Sequence, residues 1–178
     1  MRVDAPKNFG PPPLIGLWRQ VALGGRGKGQ ISLGERDVAW AIETGMAPLL
    51  VDYLDPGPLA ESLKERLQAA DLWARYRSAE NLAAALEIFD ACKGQVPPLT
   101  LLKGLSIGPE RYPAPHYRFL GDLDLLVPEE ALRETQRVLE TLGYVASRSA
   151  FDGESDHHLP ALRHPRTGVV VELHRGLF

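Results

Sequence analysis

The sequence predicts an α+β protein, with an α-helical N-terminal half joined to an α+β C-terminal half. Three observations carry this expectation. Apolar residues in the first half recur at three- and four-residue spacing, the pattern of a helix with one buried face. After Pro97-Pro98 the pattern changes to short apolar runs of strand length: Leu99–Lys103, Leu123–Val127 and Val169–His174. Between the second and third of these, Pro128 to Gly143 returns to helical spacing. The expected division is a helical region over 1–95 and an α+β core over 96–178.

The 178 residues suffice for one ordinary domain or two small ones. With 44% hydrophobic and 24% charged residues, the composition is that of a folded globular chain. A formal net charge of −3 gives no general drive toward nucleic acid or an anionic membrane, although 20 Lys and Arg can still line a local groove. No apolar run approaches the roughly 20 residues needed to span a bilayer. Met1 to Asn8 lacks the apolar centre of a signal peptide. The single cysteine, Cys92, excludes an internal disulfide and suits a reducing compartment. The expected location is therefore the cytoplasm, away from the membrane, with Cys92 a small buried residue and no catalytic group.

Element by element, the first dozen residues end in Pro11-Pro12-Pro13 and read as an irregular arm. Leu14 to Leu23 fits a short helix closed by Gly24-Gly25. The loop Gly24–Gly29 carries glycines and Lys28, but no Ser or Thr follows the lysine and no strand precedes it, so it is not a phosphate-binding P-loop. Ser32-x-x-Glu35 has the form of a capping box and opens a helix through Val38, Ile42 and Met46, bent at Gly45 or Pro48. Asp55-Pro56-Gly57-Pro58 is a turn. Leu59, Leu63 and Leu67 begin a helical stripe, and Tyr76, Leu82, Leu86 and Phe89 continue one as far as Lys93-Gly94. A single helix across that whole region would be unusually long, so a break is expected near Ala70-Asp71. Trp18, Trp40, Trp73, Tyr76 and Phe89 are assigned to the core.

In the second half, Leu99–Lys103 is a short buried strand ending at Gly104, and a loop or short helix carries Ser106, Arg111, Tyr112 and Arg118 onward. Pro128 suits the first turn of a helix, with Glu129 and Glu130 facing its positive end and Gly143 closing it. Tyr144–Ser149 and His157–Leu162 are further strand candidates before Gly168 turns into the β-branched run Val169-Val170-Val171.

The chemistry centres on Gly121-Asp122-Leu123-Asp124-Leu125-Leu126-Val127. Strand side chains alternate faces, so Asp122 and Asp124 share one face at about 6.5–7 Å, while Leu123, Leu125 and Val127 share the other. Two neighbouring carboxylates on an apolar strand repel unless a cation neutralises them or water reaches them. The same alternation puts Val170, Glu172 and His174 on one face of the last strand. If the two strands are neighbours with apolar faces aligned, Glu172 joins Asp122 and Asp124 in a hard-oxygen site for Mg²⁺ or Mn²⁺. Lys103 and Arg118 are then candidates to bind a triphosphate, and Gly104 leaves room for backbone N–H groups to approach it. The alternative for Lys103 is a strand-end lysine in solvent, and for Arg118 a surface partner of Asp122.

Leu101-Leu102-Lys103-Gly104, Arg118-x-x-Gly121-Asp122-Leu123-Asp124, Leu142-Gly143-Tyr144, His157-His158-Leu159 and Val171-Glu172-Leu173-His174 occur in this order. Together, over Leu72 to His174, they resemble a poorly characterised bacterial nucleotidyltransferase-like family of the DNA polymerase β-type nucleotidyltransferase superfamily. The resemblance implies a nucleotidyltransferase-like fold, an N-terminal helical region followed by a small mixed β-sheet flanked by helices. It also implies transfer of a nucleoside monophosphate from an NTP to an unknown acceptor: a protein, a small molecule or an RNA end. It implies Asp122, Asp124 and Glu172 as catalytic, metal-binding carboxylates. One acid of the Asp pair would bridge two metals, and Glu172 would complete the acceptor-side metal and help deprotonate the acceptor. Lys103, Gly104, Ser106 and Arg118 would bind nucleotide. The superfamily usually has Gly-Gly or Gly-Ser where this chain has Lys103-Gly104 with Ser106 two residues on. Relatives also continue past the Glu-Leu-His strand, which raises the expectation of a protein partner supplying further helices.

A copy of the same fold acting only as a nucleotide-binding or protein-interaction module is the alternative function. A zinc site built on His157-His158 with His164 or His174 lacks helical His spacing or a Cys partner. An Asp-His-His phosphoesterase would need more α/β units than the roughly thirty residues between the two motifs allow. His158 and His174 are instead expected at the site rim or as sheet-positioning residues.

Overall fold

A computed structural model describes residues 33–53, 59–146 and 159–176. The expected N-terminal arm, the Leu14–Leu23 helix, the Gly24–Gly29 loop, the Asp55–Pro58 turn, Trp18 and His157-His158 lie outside the described residues. The chain divides into two compact units between Arg75 and Tyr76.

In the first unit, α1 (Glu35–Glu43) begins at Gly34. Asp37, not the expected Ser32-Glu35 pair, supplies the side-chain cap, its carboxylate accepting the Gly34 N–H at 2.8 Å. Ser32 itself is outside the described residues. The chain turns at Gly45, whose φ of 72° lies in the left-handed region that glycine tolerates. α2 (Ala47–Tyr53) follows, with Pro48 in its first turn where no N–H is missed. Val38, Ala41, Ala47, Leu50, Leu59 and Leu67 form the apolar centre of this unit.

The next helix, α3, runs from Glu61 to Cys92 without interruption, so the expected break near Ala70-Asp71 is absent. The reason is local: the segment contains no Gly or Pro and is rich in Ala, Leu, Glu and Arg, all strong helix formers. Its buried face carries Ala74, Ser78, Asn81, Ala84, Ala85, Ile88 and Cys92. Trp73 and Tyr76 fall beside that face and are exposed, which corrects their assignment to the core. Small side chains, rather than the large aromatics, bring this helix close to its neighbours. Burial raises the Cys92 thiol above its ordinary pKa, keeping it protonated and unreactive.

The second unit, from Tyr76, contains a five-stranded mixed sheet in the order β1-β2-β5-β4-β3. The strands are β1 (Thr100–Leu101), β2 (Leu123–Leu126), β3 (Val145–Ala146), β4 (Leu162–Arg163) and β5 (Val170–His174). β1 is shorter than the Leu99–Lys103 run predicted, β4 begins only at Leu162, and the expected strand residues 147–149 and 157–158 lie outside the described residues. In particular, Lys103 is not the end of a strand but the first residue of α4 (Lys103–Arg111). Ser106 and Arg111 lie on α4, Tyr112 closes it, and Arg118 follows a short 3₁₀ turn, Pro115–Tyr117. After β2, Glu129–Ala131 forms another 3₁₀ turn leading into α5 (Leu132–Thr141). Gly143, with φ 93°, closes that helix as expected.

Two strands matter most for position. β2 and β5 run parallel, with Leu123 opposite Val171, Asp124 opposite Glu172, Leu125 opposite Leu173 and Leu126 opposite His174. Leu123, Leu125, Val127, Val169, Val171 and Leu173 are all buried, together with Ala84, Ala85, Ile88, Leu132, Val138 and Leu139 of α3 and α5. Burying this leucine-valine face against two helices dictates the register. A slip of one residue would turn the acids into the core.

Candidate metal centre

Because the apolar faces are aligned, the opposite faces of β2 and β5 are aligned too. Asp124 and Glu172 are cross-strand neighbours there, and His174 is two residues farther along β5. One carboxylate oxygen each from Asp124 and Glu172 and a ring nitrogen of His174 lie within 4.8 Å of one another. His174 Nε2 is 2.7 Å from Asp124 Oδ1 and 3.5 Å from Glu172 Oε2. The Val127 N–H donates to the His174 carbonyl at 2.9 Å, which keeps the end of β5 in the sheet. Asp124 is nearly inaccessible, at 4% exposure, so its charge depends on the groups around it rather than on water.

Lys103 supplies one compensating charge. Its Nζ is 2.6 Å from Asp124 Oδ1, the same oxygen that His174 approaches. This bond, with the fields of Asp122 and Glu172, raises the lysine pKa against a partial desolvation effect, so the ammonium stays charged. The Lys103 backbone lies in the left-handed region, at φ 49°, and no other non-glycine among the described residues does so. For a lysine that conformation costs about 1–2 kcal/mol. The strained backbone and the contact with the buried acid set Lys103 apart from the solvated strand end that was its alternative.

The rest of the turn is built around this conformation. Ser106 Oγ donates to the Lys103 carbonyl at 2.9 Å. Gly104 is buried, and a Cβ there would run into the Leu120 side chain and lie 3.1 Å from Arg118 Nε. The missing side chain is thus used first to let Leu120 and Arg118 close over the turn. Arg118 Nε is buried without a hydrogen-bond acceptor among the described residues. Asn81, fully buried on α3, donates to the Leu120 carbonyl at 3.1 Å and anchors the segment that enters β2.

Of the residues singled out from sequence, the structure brings together Asp124, Glu172 and Lys103. Asp122, half-buried just before β2 begins, is close enough to act on Lys103 electrostatically. It is not part of the compact group of three, whose third member is His174. His174 had been expected only at the rim or in the sheet. The same alternation that found Glu172 already put His174 on its face. No nearby sequence feature marked it as a ligand, because its partner Asp124 is fifty residues away.

The donor set, two carboxylate oxygens and an imidazole nitrogen around a buried charge, fits a divalent cation. The Lys103 ammonium already offsets part of the carboxylate charge, so a cation entering the site would compete with it for Asp124 Oδ1. A model of the family described as uncharacterised nucleotidyltransferase matches residues 35–178. No curated protein and no solved structure matches the chain.

Proposed function

This chain belongs to the uncharacterised nucleotidyltransferase family, and from that premise we propose a metal-dependent transfer of a nucleoside monophosphate from an NTP to an acceptor hydroxyl. We further propose that it is of the DNA polymerase β type and works in the cytoplasm. The observation that carries the reading is the Asp124-Glu172 pair, fixed side by side on parallel strands and faced by a charged lysine.

In this reading Asp124 and Glu172 hold Mg²⁺ or Mn²⁺, and Asp122, outside the compact group, adds its charge beside them. Such an ion, when bound, neutralises developing charge on the phosphoryl oxygens. The chain's own residues do the rest. Lys103, Gly104 and Ser106 present an ammonium and the N-terminal N–H groups of α4 to the triphosphate, and Arg118 adds a guanidinium. Glu172, half-buried at the edge of the cluster, takes the proton of the acceptor hydroxyl. The acceptor oxygen forms a bond to the α-phosphorus, the α–β phosphoanhydride bond breaks, and pyrophosphate leaves with that electron pair.

The test uses labelled NTPs with Mg²⁺ or Mn²⁺, reading nucleotide binding and pyrophosphate release. The wild-type chain is expected to do both, and the Asp122→Ala/Asp124→Ala variant, checked for folding by circular dichroism, neither. An unchanged double variant, or no metal-dependent nucleotide binding by the wild type, overturns the reading. Binding without release would identify the non-catalytic module instead.

A further inference from the structure

We propose that His174 is itself a metal ligand, so that the centre is a two-carboxylate, one-imidazole site that prefers Mn²⁺ to Mg²⁺. The inference rests on the metal-dependent reading above and adds to it both a ligand and a selectivity.

The geometry comes first. Ligands about 2.1 Å from one octahedral ion stand roughly 3 Å apart when adjacent. His174 Nε2 lies 2.7 Å from Asp124 Oδ1 and 3.5 Å from Glu172 Oε2, on either side of that spacing. The histidine is placed by the backbone of a central strand, not by a loop. Its carbonyl accepts from Val127, and its neighbour Leu173 is buried in the core. Its side chain is only 12% exposed, so the ring is held against the acids rather than turned to solvent. Rigid elements of this kind hold ligands in place before the ion arrives.

Chemistry then separates this site from an all-carboxylate one. Mg²⁺ is a hard ion served by carboxylates, water and phosphate oxygens, whereas an imidazole nitrogen suits transition metals. Replacing one oxygen donor by Nε2 therefore moves preference toward Mn²⁺. Asp122, which would have made the group purely acidic, lies outside it. A ring that merely oriented Asp124 from outside the coordination shell would leave this preference unaltered.

The experiment titrates the full chain with MnCl₂ and with MgCl₂ by calorimetry, and records pulsed electron paramagnetic resonance of bound Mn²⁺. Expected is Mn²⁺ binding on the order of tenfold or more tighter than Mg²⁺, with a ¹⁴N coupling on the manganese signal. His174→Gln should abolish that coupling and weaken Mn²⁺ binding by about tenfold or more. His174→Asp, which restores an oxygen donor, should lower the ratio of Mn²⁺ to Mg²⁺ affinity toward one. Thermal melts identify any variant that fails to fold, and the wild-type coupling and metal preference decide the proposal without the variants. Manganese bound without nitrogen coupling, or with coupling that survives in His174→Gln, overturns the histidine ligand but leaves the metal-dependent reading standing. No binding of either ion by the wild type overturns both.

Discussion

The strand pair and the lysine turn contribute to one charged cluster by opposite means. On β2 and β5 the site residues are in ordinary extended backbone, locked by ladder hydrogen bonds and by a buried leucine-valine face on the other side. At Lys103 the backbone is in a conformation that lysine rarely adopts, and the side chain is 58% exposed. The acids are therefore placed by the fold, while the cation is placed by a local turn that stores strain. In the proposed reading, rigidity suits groups that hold an ion in fixed geometry, and the lysine can leave the buried acid for a phosphate once a metal ion takes its place there.

Three substitutions probe this contrast. Glu172→Gln removes a charge from the rigid half without altering its shape. Transfer should fall on the order of 10²–10³-fold, with the melting temperature nearly unchanged, as read by pyrophosphate release and thermal melts. A comparable loss of stability would mean that the acids serve the fold rather than the chemistry. Gly104→Ala forces a Cβ into Leu120 and Arg118, so the turn must shift or the packing must open. A loss of about 1–3 kcal/mol in denaturant unfolding is expected, and a neutral result would show that the turn is looser than its contacts imply. Lys103→Met keeps most of the apolar stem of the side chain and removes its charge. KM for the NTP should rise about tenfold, the scale of one charge-assisted hydrogen bond, with a smaller change in kcat. An effect on kcat alone would place the lysine with the rigid acids and erase the distinction.

Legibility followed the range of the interactions involved. Gly143 closing α5 depends on a few adjacent residues and was readable, whereas the bend expected at Gly45 or Pro48 is a full break at Gly45, with Pro48 inside α2. The uninterrupted α3 was misjudged because overall length was weighed above composition, although nothing from Glu61 to Cys92 breaks a helix. Trp73 and Tyr76 were misplaced for a different reason. Size suggested burial, but the face of α3 that packs is chosen by close approach, which favours Ala74, Ser78, Asn81, Ala84 and Ala85. At the centre, the facing of Asp124 and Glu172 was legible, whereas the departure of Asp122 from the compact group and the entry of His174 were not.

The sequence alone determined which strand side chains share a face: Leu123 and Leu125 against Asp124, and Val171 and Leu173 against Glu172 and His174. That follows from the two-residue period of an extended chain and needs no partner. The tertiary structure decided which faces meet. Parallel pairing sets Asp124 opposite Glu172 and brings His174 to the same oxygen as Lys103, across separations of fifty and twenty-one residues. Such pairings depend on burying one apolar face against helices from elsewhere in the chain. The same folding puts Lys103 in a left-handed turn that no residue pattern announces, next to Gly104, over which Leu120 and Arg118 close.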